Sequence, residues 1–484
     1  ELIPDATLQH MHTLNPPKWD DVEKGTDRKV NEDTGIVQRR LSNGIRINYK
    51  KTDNTPNTIS IAAVSPGGLA RESLTNPAAV KLGVQAIMQG GSFGNYSREM
   101  VDLFSMKKLM NINFGVTLES IQWDLLAPTE TMDDLFQFLM LVYSDLRWNE
   151  QAFDSAKELF DSNYDAIVKS LEMASADKLV QAVANDDPRF WGPHPSVIQK
   201  LTLPVVKEEL ERQLATENLE INIVGDFDEE QLEQSLFNYL GTIPKKEAAK
   251  EAYAKDIVDV KPDPKRQHQR ITLPDDQKRA IGYITGVAPN RWGYSMENPS
   301  SREKGYWTSP NEKEIDQESQ KRRSHPLWAP AVIEIIEKMV STELYSKLRD
   351  TLSLVYHTKF EVGINERLPT NDWLIVINSE HQNVDRAISE ATKCLRNLRI
   401  SPHMLSSSKR SVMHYHETES ANDQYWLGML KGLQDETLPQ KQLESISDYQ
   451  SVVQSVTLDD VKEMWKTFLI SPEDVYTCVG VSGE

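Results

Sequence analysis

An internal duplication constrains the fold of this chain more than any other feature of its sequence. The segment from Leu201 to Gly225 (LTLPVVKEELERQLATENLEINIVG) aligns without a gap with the segment from Val456 to Gly480 (VTLDDVKEMWKTFLISPEDVYTCVG), at a constant offset of 255 residues. In both copies the pattern indicates an amphipathic helix followed by a short apolar strand that ends at glycine. Thr202 and Thr457 each stand where a threonine hydroxyl can cap the first backbone N–H groups of that helix. The sequence therefore predicts two domains of like architecture.

The region before the first copy begins with a hairpin pattern. Alternating apolar residues between Ile36 and Tyr49 flank the pair Asn43-Gly44, which favours a tight two-residue turn. Further strand patterns and two long helix patterns follow between residues 58 and 171. Because strands and helices are both abundant but do not alternate strictly, the predicted fold class is α+β. We expect two homologous domains, each with a mixed, mostly antiparallel sheet packed by helices.

The predicted domains are continuous in sequence. An N-terminal extension at 1–34 precedes a first domain at 35–244, and a charged linker with prolines at 245–266 leads to the second domain at 267–484. The second domain carries a polar insert at 290–325, rich in Ser, Glu, Lys, Asn and Pro. We predict that this insert is a solvent-exposed loop.

Composition narrows the class of protein. The formal net charge of -19 disfavours nucleic acid as a partner and would attract basic peptides. The longest nearly apolar run, Leu135–Tyr143, has nine residues, whereas a membrane span needs about 20, so no membrane span is expected. The two cysteines, Cys394 and Cys478, are too few for a disulfide-stapled secreted fold, which favours a reducing compartment.

The sequence does not predict a metal site. A zinc hydrolase needs two or three histidines and a carboxylate that meet at one point, but no HxxEH or HExxH sequence occurs. His414 and His416 are two apart in a helical pattern and therefore point about 200° apart. His10 and His12 lie in an irregular N-terminal tail. The chain also lacks a phosphate-binding glycine motif and a GxSxG elbow, so phosphoryl transfer and serine hydrolysis have no support.

Four stretches of the sequence carry a family resemblance. They are LSNGIRINYKK at 41–51, APNRWG at 288–293, ELYSKLRDTLSLVYHTKFEVG at 343–363 and the ending VYTCVGVSG. Together they resemble the carboxy-terminal, non-zinc half of pitrilysin/insulinase-family metallopeptidases, above all the chloroplast stromal processing peptidases. The resemblance covers nearly the whole chain from about Gly35. It implies a clamshell of four similar domains, in which the first binds zinc and the last two close a chamber over the substrate.

The resemblance also implies that zinc is held by a missing amino-terminal half. Where the zinc-bearing domain of the family has HxxEH, this chain has the residues KLGVQ at 81–85. Lys81 and Gln85 offer no imidazole, and Val84 cannot act as the carboxylate base, so an ordinary packed helix is predicted there. No cofactor is expected in this chain. The expected partners are the zinc-bearing half, on the same or a separate polypeptide, and peptide or precursor substrates. The start at Glu1 without methionine leads us to expect that an upstream segment has been removed.

Arg349 and Tyr356 are the predicted substrate-binding residues. They stand seven residues apart, and the resemblance matches them to an arginine and a tyrosine that the family offers to the bound peptide. Such donors can stabilise a developing oxyanion, an effect of roughly 3 to 4 kcal/mol per donor. From the residues alone a packing role stays open, because helix ends favour arginine and strands favour tyrosine. Ser353 departs from the glycine that the family usually has there, and serine tolerates positive φ poorly.

Three functions remain open from the sequence. In the first, the chain is the non-catalytic, substrate-enclosing half of a zinc metalloendopeptidase that removes transit peptides from imported precursors. Its place would be the chloroplast stroma, with the mitochondrial matrix as the alternative. In the second, the chain is a catalytically inactive, processing-peptidase-like scaffold subunit of an organellar complex, and in the third a stand-alone binding protein. In each case the isolated chain is predicted to hold no stoichiometric zinc and to be inactive alone.

Overall fold

The computed structural model forms two compact units. It describes residues 28–483 apart from residues 91, 95, 192–193, 252, 275–277, 295–303, 310–311, 313, 437 and 439–440. Within the described residues, unit 1 is drawn from Glu1–Asp161, Pro193–Ala254 and Thr418–Glu444, and unit 2 from Ser162–Gly192, Lys255–Glu417 and Ser445–Glu484.

The strands of the described residues are, in chain order, β1 Arg28–Asn31, β2 Ile36–Arg40, β3 Arg46–Lys51, β4 Thr58–Pro66, β5 Ser92–Phe93, β6 Asn111–Val116, β7 Ser120–Pro128, β8 Leu146–Arg147, β9 Glu220–Gly225, β10 His268–Pro274, β11 Ala280–Pro289, β12 His357–Val362, β13 Thr370–Ser379 and β14 Tyr476–Gly483.

The α-helices of the same residues are α1 Ala79–Gly90, α2 Arg98–Lys107, α3 Met132–Ser144, α4 Glu150–Lys169, α5 Leu171–Val183, α6 Pro195–Ile198, α7 Leu203–Glu211, α8 Glu229–Tyr239, α9 Gln317–Arg323, α10 Trp328–Tyr345, α11 Val384–Arg396, α12 Pro402–Glu419, α13 Asp423–Leu430, α14 Tyr449–Ser455 and α15 Leu458–Trp465.

The two large sheets share one topology. The sheet of unit 1 has the order β1-β2-β3-β9-β4-β7-β6, and the sheet of unit 2 has the order β10-β14-β11-β13-β12. β3 pairs with β9, and β10 with β14, in parallel; the other neighbouring strands of both sheets pair antiparallel. The last five strands of the first sheet therefore match the second sheet in order and direction. The predicted α+β fold with two mixed, mostly antiparallel sheets is confirmed.

The duplicated segments form equivalent elements. α7 begins at Leu203 and α15 at Leu458, which preserves the offset seen in the sequence. The Thr457 hydroxyl accepts the backbone N–H of Asp460, whose carboxylate accepts the Thr457 N–H at 2.9 Å, so a capping box closes this helix. Thr202 has the same position in α7 but its side chain makes no capping hydrogen bond. The capping prediction is thus confirmed at Thr457 and wrong at Thr202, where no acidic residue stands three positions later to complete the box.

Two equivalent segments of the copies belong to opposite units. Residues 162–192 join unit 2, and residues 418–444, at nearly the same offset, join unit 1. Accordingly α5 packs on β14, β11 and β10, whereas α13 packs on β9, β4 and β3. The predicted domain boundaries treat each copy as continuous in sequence, at 35–244 and 267–484 with a linker at 245–266. These boundaries stay a prediction. The described part of the predicted extension at 1–34 includes β1, which pairs with β2.

The predicted hairpin forms, but with a different turn. β2 and β3 pair antiparallel, and the N–H of Leu41 donates to the carbonyl of Ile45 at 2.8 Å, which leaves three residues in the loop. Gly44 has φ 94°, while Asn43 is not among the residues with positive φ. The Asn43 amide instead donates to the carbonyl of Leu240 at 2.8 Å. The two-residue turn is therefore wrong, because three residues close the hairpin and Asn43 does not adopt the positive φ that a type I′ turn requires.

The polar insert also departs from its prediction. Trp307 is 2% exposed, and its ring centroid lies 5.6 Å from that of Trp328. The guanidinium of Arg323 lies 5.5 Å from the Trp307 ring and donates to Glu312 at 2.7 Å. The exposed-loop prediction is therefore wrong at Trp307 and Arg323, whereas the helix Gln317–Arg323 is otherwise exposed or half-buried. No helix of the described residues is long and apolar enough to cross a membrane.

Candidate functional site

A widened helical turn positions Arg349 in unit 2. α10 continues beyond Tyr345 as the π-helix Ser346–Thr351, a form that often marks functional sites. Fully buried Leu348 anchors this turn, and its carbonyl accepts the N–H of Leu354 at 2.8 Å. Ser353 adopts φ 52°, so serine takes the left-handed conformation in which the family uses glycine. The turn therefore forms despite this departure, at a strain of about 1 kcal/mol.

Arg349 and Tyr356 are brought together by this turn. The Nη1 atom of Arg349 donates to the backbone carbonyl of Tyr356 at 2.9 Å, and the guanidinium lies 5.2 Å from the ring centroid of Tyr345. Both predicted side chains are exposed, Tyr356 at 61%. The contact uses the Tyr356 backbone and only part of the guanidinium, so the exposed Arg349 side chain keeps N–H donors for another partner.

Glu380 holds the Tyr356 hydroxyl. The hydroxyl donates to Glu380 Oε1 at 3.1 Å, and this hydrogen bond raises the pKa of Tyr356 above its ordinary value. Glu380 follows the last residue of β13, and the N–H of Tyr356 donates to the carbonyl of Asn378 on that strand at 2.8 Å. Sequence reasoning missed Glu380, because only the β12–β13 register places it beside the tyrosine. The one signal for Glu380 in the sequence is a carboxylate directly after a strand pattern.

The arrangement suits recognition of a peptide carbonyl. An arginine remains charged and offers several fixed donors. The Tyr356 hydroxyl donates its one hydrogen to Glu380, so it can donate to a peptide carbonyl only when it exchanges that partner. The Arg349 guanidinium can donate to an acceptor oxygen from this exposed turn, and Tyr356 can join it by rotation of its hydroxyl away from Glu380. Their role toward a substrate stays a prediction.

The position equivalent to the zinc motif is a packed helix, as predicted. Leu82 and Val84 of α1 are 0% and 6% exposed. A Cβ at Gly83 would lie 3.1 Å from the side chains of both Leu210 and Val206 on α7, so the two helices are in close contact. No side chain at 81–85 is a histidine, cysteine or carboxylate. The residues there do not fit zinc.

The histidine pair of α12 is engaged in other contacts. His416 Nε2 lies 3.1 Å from Glu334 Oε2, and the Tyr449 hydroxyl donates to the same carboxylate. The rings of His416 and Tyr449 lie 4.1 Å apart. Across the part of the chain that the structure describes, no three His, Cys, Asp or Glu side chains are grouped to hold a metal. His10 and His12 lie outside the described residues.

The two cysteines are poor nucleophiles. Cys394 lies in α11 and Cys478 in β14, and both are free thiols. Burial raises the pKa of each thiol to about 11. Both therefore stay protonated at neutral pH, and thiolate catalysis by either is disfavoured.

Comparison with known proteins bears out the resemblance. A model of the peptidase M16 inactive domain matches residues 200–404. The chloroplastic stromal processing peptidase of Oryza sativa subsp. indica is 32% identical over 499 aligned residues, which cover 100% of this chain and 40% of that protein. This chain thus spans well under half the length of that relative.

Solved structures share the fold at low sequence identity. The periplasmic protease PqqL from Escherichia coli superposes with a TM-score of 0.70 at 14% identity, over 96% of this chain and 47% of that one. A peptidase M16 inactive domain from Pseudomonas fluorescens has a TM-score of 0.69 at 12% identity, over 95% of this chain and 98% of that one. The second match shows the same two-sheet architecture at the length of a single half.

Proposed function

Because this chain belongs to the M16 family of metallopeptidases, we propose that it is the carboxy-terminal, substrate-holding half of a zinc metalloendopeptidase that removes transit peptides from imported precursors. The observation that carries the proposal is similarity over 100% of this chain to 40% of a stromal processing peptidase. Zinc would belong to the remaining half, since the residues at 81–85 do not fit it. The proposed place of action is the plastid stroma, in line with the chloroplastic relatives, with the mitochondrial matrix as the alternative.

In this proposal Arg349 and Tyr356 contact the bound peptide. Arg349 presents exposed N–H donors and is linked to Tyr356 through the Tyr356 carbonyl. The Tyr356 hydroxyl would exchange its hydrogen bond to Glu380 for one to the substrate. They would hydrogen-bond the scissile carbonyl oxygen and stabilise the negative charge that grows on it, a contribution of roughly 3 kcal/mol per donor in other hydrolases. Glu380 acts as a positioning residue because it orients the tyrosine hydroxyl.

The negative charge of this chain supports a basic peptide as the substrate. The chain carries a formal net charge of -19, and such a field raises the encounter rate with positively charged peptides at low ionic strength. We expect cleavage by the assembled enzyme to slow as salt concentration rises, because screening shortens the reach of this field.

The test compares the chain alone with the chain assembled with a zinc-bearing half. Purified alone, it should contain no stoichiometric zinc by elemental analysis and should leave a plastid precursor intact. The assembled protein should bind zinc and release the transit peptide. One tightly held zinc per isolated chain, or cleavage by that chain alone, would contradict the proposal.

The scaffold alternative predicts a different outcome of the same experiment. An inactive subunit would assemble with its partner and leave every precursor uncut, even with zinc supplied in excess. The relative with the highest reported identity above is a stromal processing peptidase, which favours the first outcome.

A further inference from the structure

The β6 edge of the unit 1 sheet is unguarded. A sheet edge exposes unpaired backbone groups, and proteins usually protect it with charged residues, proline or a bulge. At the other edges of the two large sheets in the described residues, β1 carries Arg28 and Lys29, β10 carries Arg270, and β12 carries Lys359 and Glu361. β6 has the sequence NINFGV, with neither charge nor proline. An edge of this kind is suited to an added strand.

The backbone of β6 is oriented to accept that strand. The Thr117 N–H donates to the carbonyl of Ser120 at 2.8 Å at the end of the β6–β7 hairpin. In an antiparallel pair the hydrogen-bonded and non-hydrogen-bonded positions alternate. From the register of β6 and β7, the N–H and C=O groups of Ile112, Phe114 and Val116 therefore face away from β7.

A cavity lies beside the start of this edge. Its volume is about 450 Å³, and α2, β6 and β7 contribute to its wall. The apolar lining includes Met88, Phe93, Met106, Met110 and Phe138. Methionine is flexible and polarisable, so a wall rich in it can adapt to apolar side chains of different shapes. Ile112 also lines the cavity, which joins the cavity to the free edge.

Trp123 adds an aromatic side chain to the cavity wall. Its indole is 1% exposed and stacks on Phe114 with ring centroids 3.8 Å apart. Its Nε1 has no hydrogen-bond partner among the described residues. Buried polar groups in folded proteins are nearly always paired, but the indole N–H groups of Trp191, Trp292 and Trp328 are unpaired in the same way among the described residues. Trp123 therefore contributes an aromatic wall to the cavity, and its N–H does not by itself indicate a ligand.

Leu109 supplies a second independent sign of a binding function. It has φ 55° and is 73% exposed, between the cavity-lining residues Met106 and Met110. The Met110 N–H donates to the carbonyl of Ser105 at 2.8 Å, which places Leu109 at the position after α2 that glycine normally occupies. An exposed leucine in a strained conformation is explained if its side chain contacts a ligand.

We infer that β6 and the adjoining cavity bind an extended, uncharged peptide segment as an added strand, with one large apolar side chain opposite Ile112 in the cavity. Directly opposite residues share one face of a sheet, and Ile112 lines the cavity. The occupant is uncharged because β6 carries no charge between Asn111 and Val116, and the two charged residues of the cavity wall, Arg98 and Asp102, are paired with each other at 2.8 Å. This binding requires neither zinc nor cleavage, so it is independent of the proposed function.

The test uses the 484-residue chain and a fluorescein-labelled, end-blocked peptide with the sequence Ser-Val-Thr-Phe-Thr-Val-Ser. Fluorescence anisotropy should show saturable binding. Replacing the peptide's Phe by Ala should weaken binding at least about tenfold, because a buried aromatic side chain is lost. For an antiparallel added strand with Phe opposite Ile112, the N–H groups of Phe and of the Val two residues before it face β6. N-methylation of these two residues should weaken binding by a similar factor, because strand hydrogen bonds are lost. Equal affinity of all three peptides overturns the inference.

Variants of the chain locate the site. Ser105→Trp should fill the cavity and reduce affinity at least about tenfold, while Lys107→Trp, on the same helix but outside the lining, should not. If Ser105→Trp fails to fold, Met106→Glu at the 73% exposed rim provides the same comparison. Unchanged affinity in the folded variants would contradict the site. Sedimentation that shows self-association of the chain through β6, together with no binding of the peptide, would also contradict it.

Discussion

The two units differ most where a helix returns to the edge strand of its sheet. In unit 1 the connection from α1 to β6 contains β5, α2 and the methionine-rich cavity. In unit 2 the matching connection from α10 to β12 is a single π-helical turn that carries Arg349. The strands on either side keep the same order and direction. Five strands thus keep one arrangement in both units, and the connection differs in length and in the side chains that it presents.

Both connections contain a strained residue just before the edge strand. Leu109 has φ 55° and Ser353 has φ 52°, where glycine would be unstrained. Strain of this kind persists where surrounding packing or function requires it. The common feature is a left-handed residue that turns the chain from helix to edge, and the difference lies in what each turn presents: an apolar side chain in unit 1, and an arginine beside a tyrosine in unit 2.

The helix caps of the duplicated segments should give the largest difference in stability between the copies. Asp460 is fully buried and accepts hydrogen bonds from Arg322, Arg323 and the Thr457 N–H. Asp460→Ala leaves both arginines without this partner and should lower the free energy of unfolding by about 3 to 5 kcal/mol. The matched change Val205→Ala in α7 should cost about 1 kcal/mol or less. Urea unfolding of both variants measures the difference, and equal losses would break the comparison.

Asp460 also predicts a pH dependence. Burial alone would raise its pKa, but the hydrogen bonds from Arg322, the Thr457 N–H and Arg323 outweigh burial, so the pKa in the folded state is lowered. The stabilisation is therefore present above the unfolded pKa, about 3.9, and is lost as pH falls through the lower folded value. Asp460→Ala should flatten the acid side of the stability curve. If the stability of Asp460→Ala falls with decreasing pH as steeply as that of the unchanged chain, other carboxylates dominate the loss of stability in acid.

The second-largest difference in stability between the copies is expected at the glycines that end the two repeats, Gly225 and Gly480. A Cβ at Gly225, which has φ 152°, would lie 2.2 Å from the backbone carbonyl of Thr58. A Cβ at Gly480 would lie 2.2 Å from the Ser175 hydroxyl, which is a side-chain atom. Gly225→Ala should cost about 3 kcal/mol and Gly480→Ala about 1 to 2 kcal/mol, since backbone yields less than a side chain.

A rescue experiment separates these two causes. Combining Gly480→Ala with Ser175→Ala should recover most of the lost stability, because the nearest clashing atom is removed. Gly225 has no equivalent rescue by a side-chain deletion, because its closest neighbour is main chain. A double variant no more stable than Gly480→Ala would mean that the two glycines are required for the same backbone reason.

The candidate site of unit 2 should show an effect on rate rather than stability. In the assembled peptidase, Arg349→Ala and Tyr356→Phe should each lower kcat more than about tenfold, because a donor to the substrate oxygen is lost. The exposed neighbour Lys347 supplies the control, and Lys347→Ala should leave kcat unchanged. Thermal unfolding should stay the same in all three. Normal turnover in both site variants would refute the assignment.

Glycine at the two strained positions should have the smallest effect. Leu109→Gly and Ser353→Gly each relieve a left-handed conformation and should raise the free energy of unfolding by about 1 kcal/mol or less. Leu109→Gly should at the same time weaken binding of the test peptide, while Ser353→Gly should leave cleavage unchanged. Loss of stability in either variant would show that packing, not φ, governs that turn.

Local patterns made much of this architecture predictable. The repeat at 201–225 and 456–480 predicted two like units, and the helix starts at Leu203 and Leu458 agree with it. The non-ligand residues at 81–85 predicted a packed helix, and their neighbours are buried. The spacing of Arg349 and Tyr356 placed both at one helix-to-strand turn, where they are in contact. These features depend on neighbours a few residues apart, so periodicity is enough to find them.

Features that join distant segments were not predictable in this way. The Asn43 side chain donates to Leu240, and the expected two-residue turn is absent. Trp307 is buried, and Glu380 accepts the Tyr356 hydroxyl from a neighbouring strand end. A single sequence has no local signal for such pairs, since side chains compete for partners only after the sheets have formed.

The sequence by itself determined the duplication, the α+β class and the absence of zinc ligands at 81–85, because each is a property of residue identity or of short-range periodicity. Only the tertiary structure decided that 162–192 joins unit 2 and 418–444 joins unit 1, and that an unguarded edge lies beside a cavity. The physical reason is that burial of a sheet face stabilises the fold whichever segment covers that face, irrespective of the segment's distance along the chain.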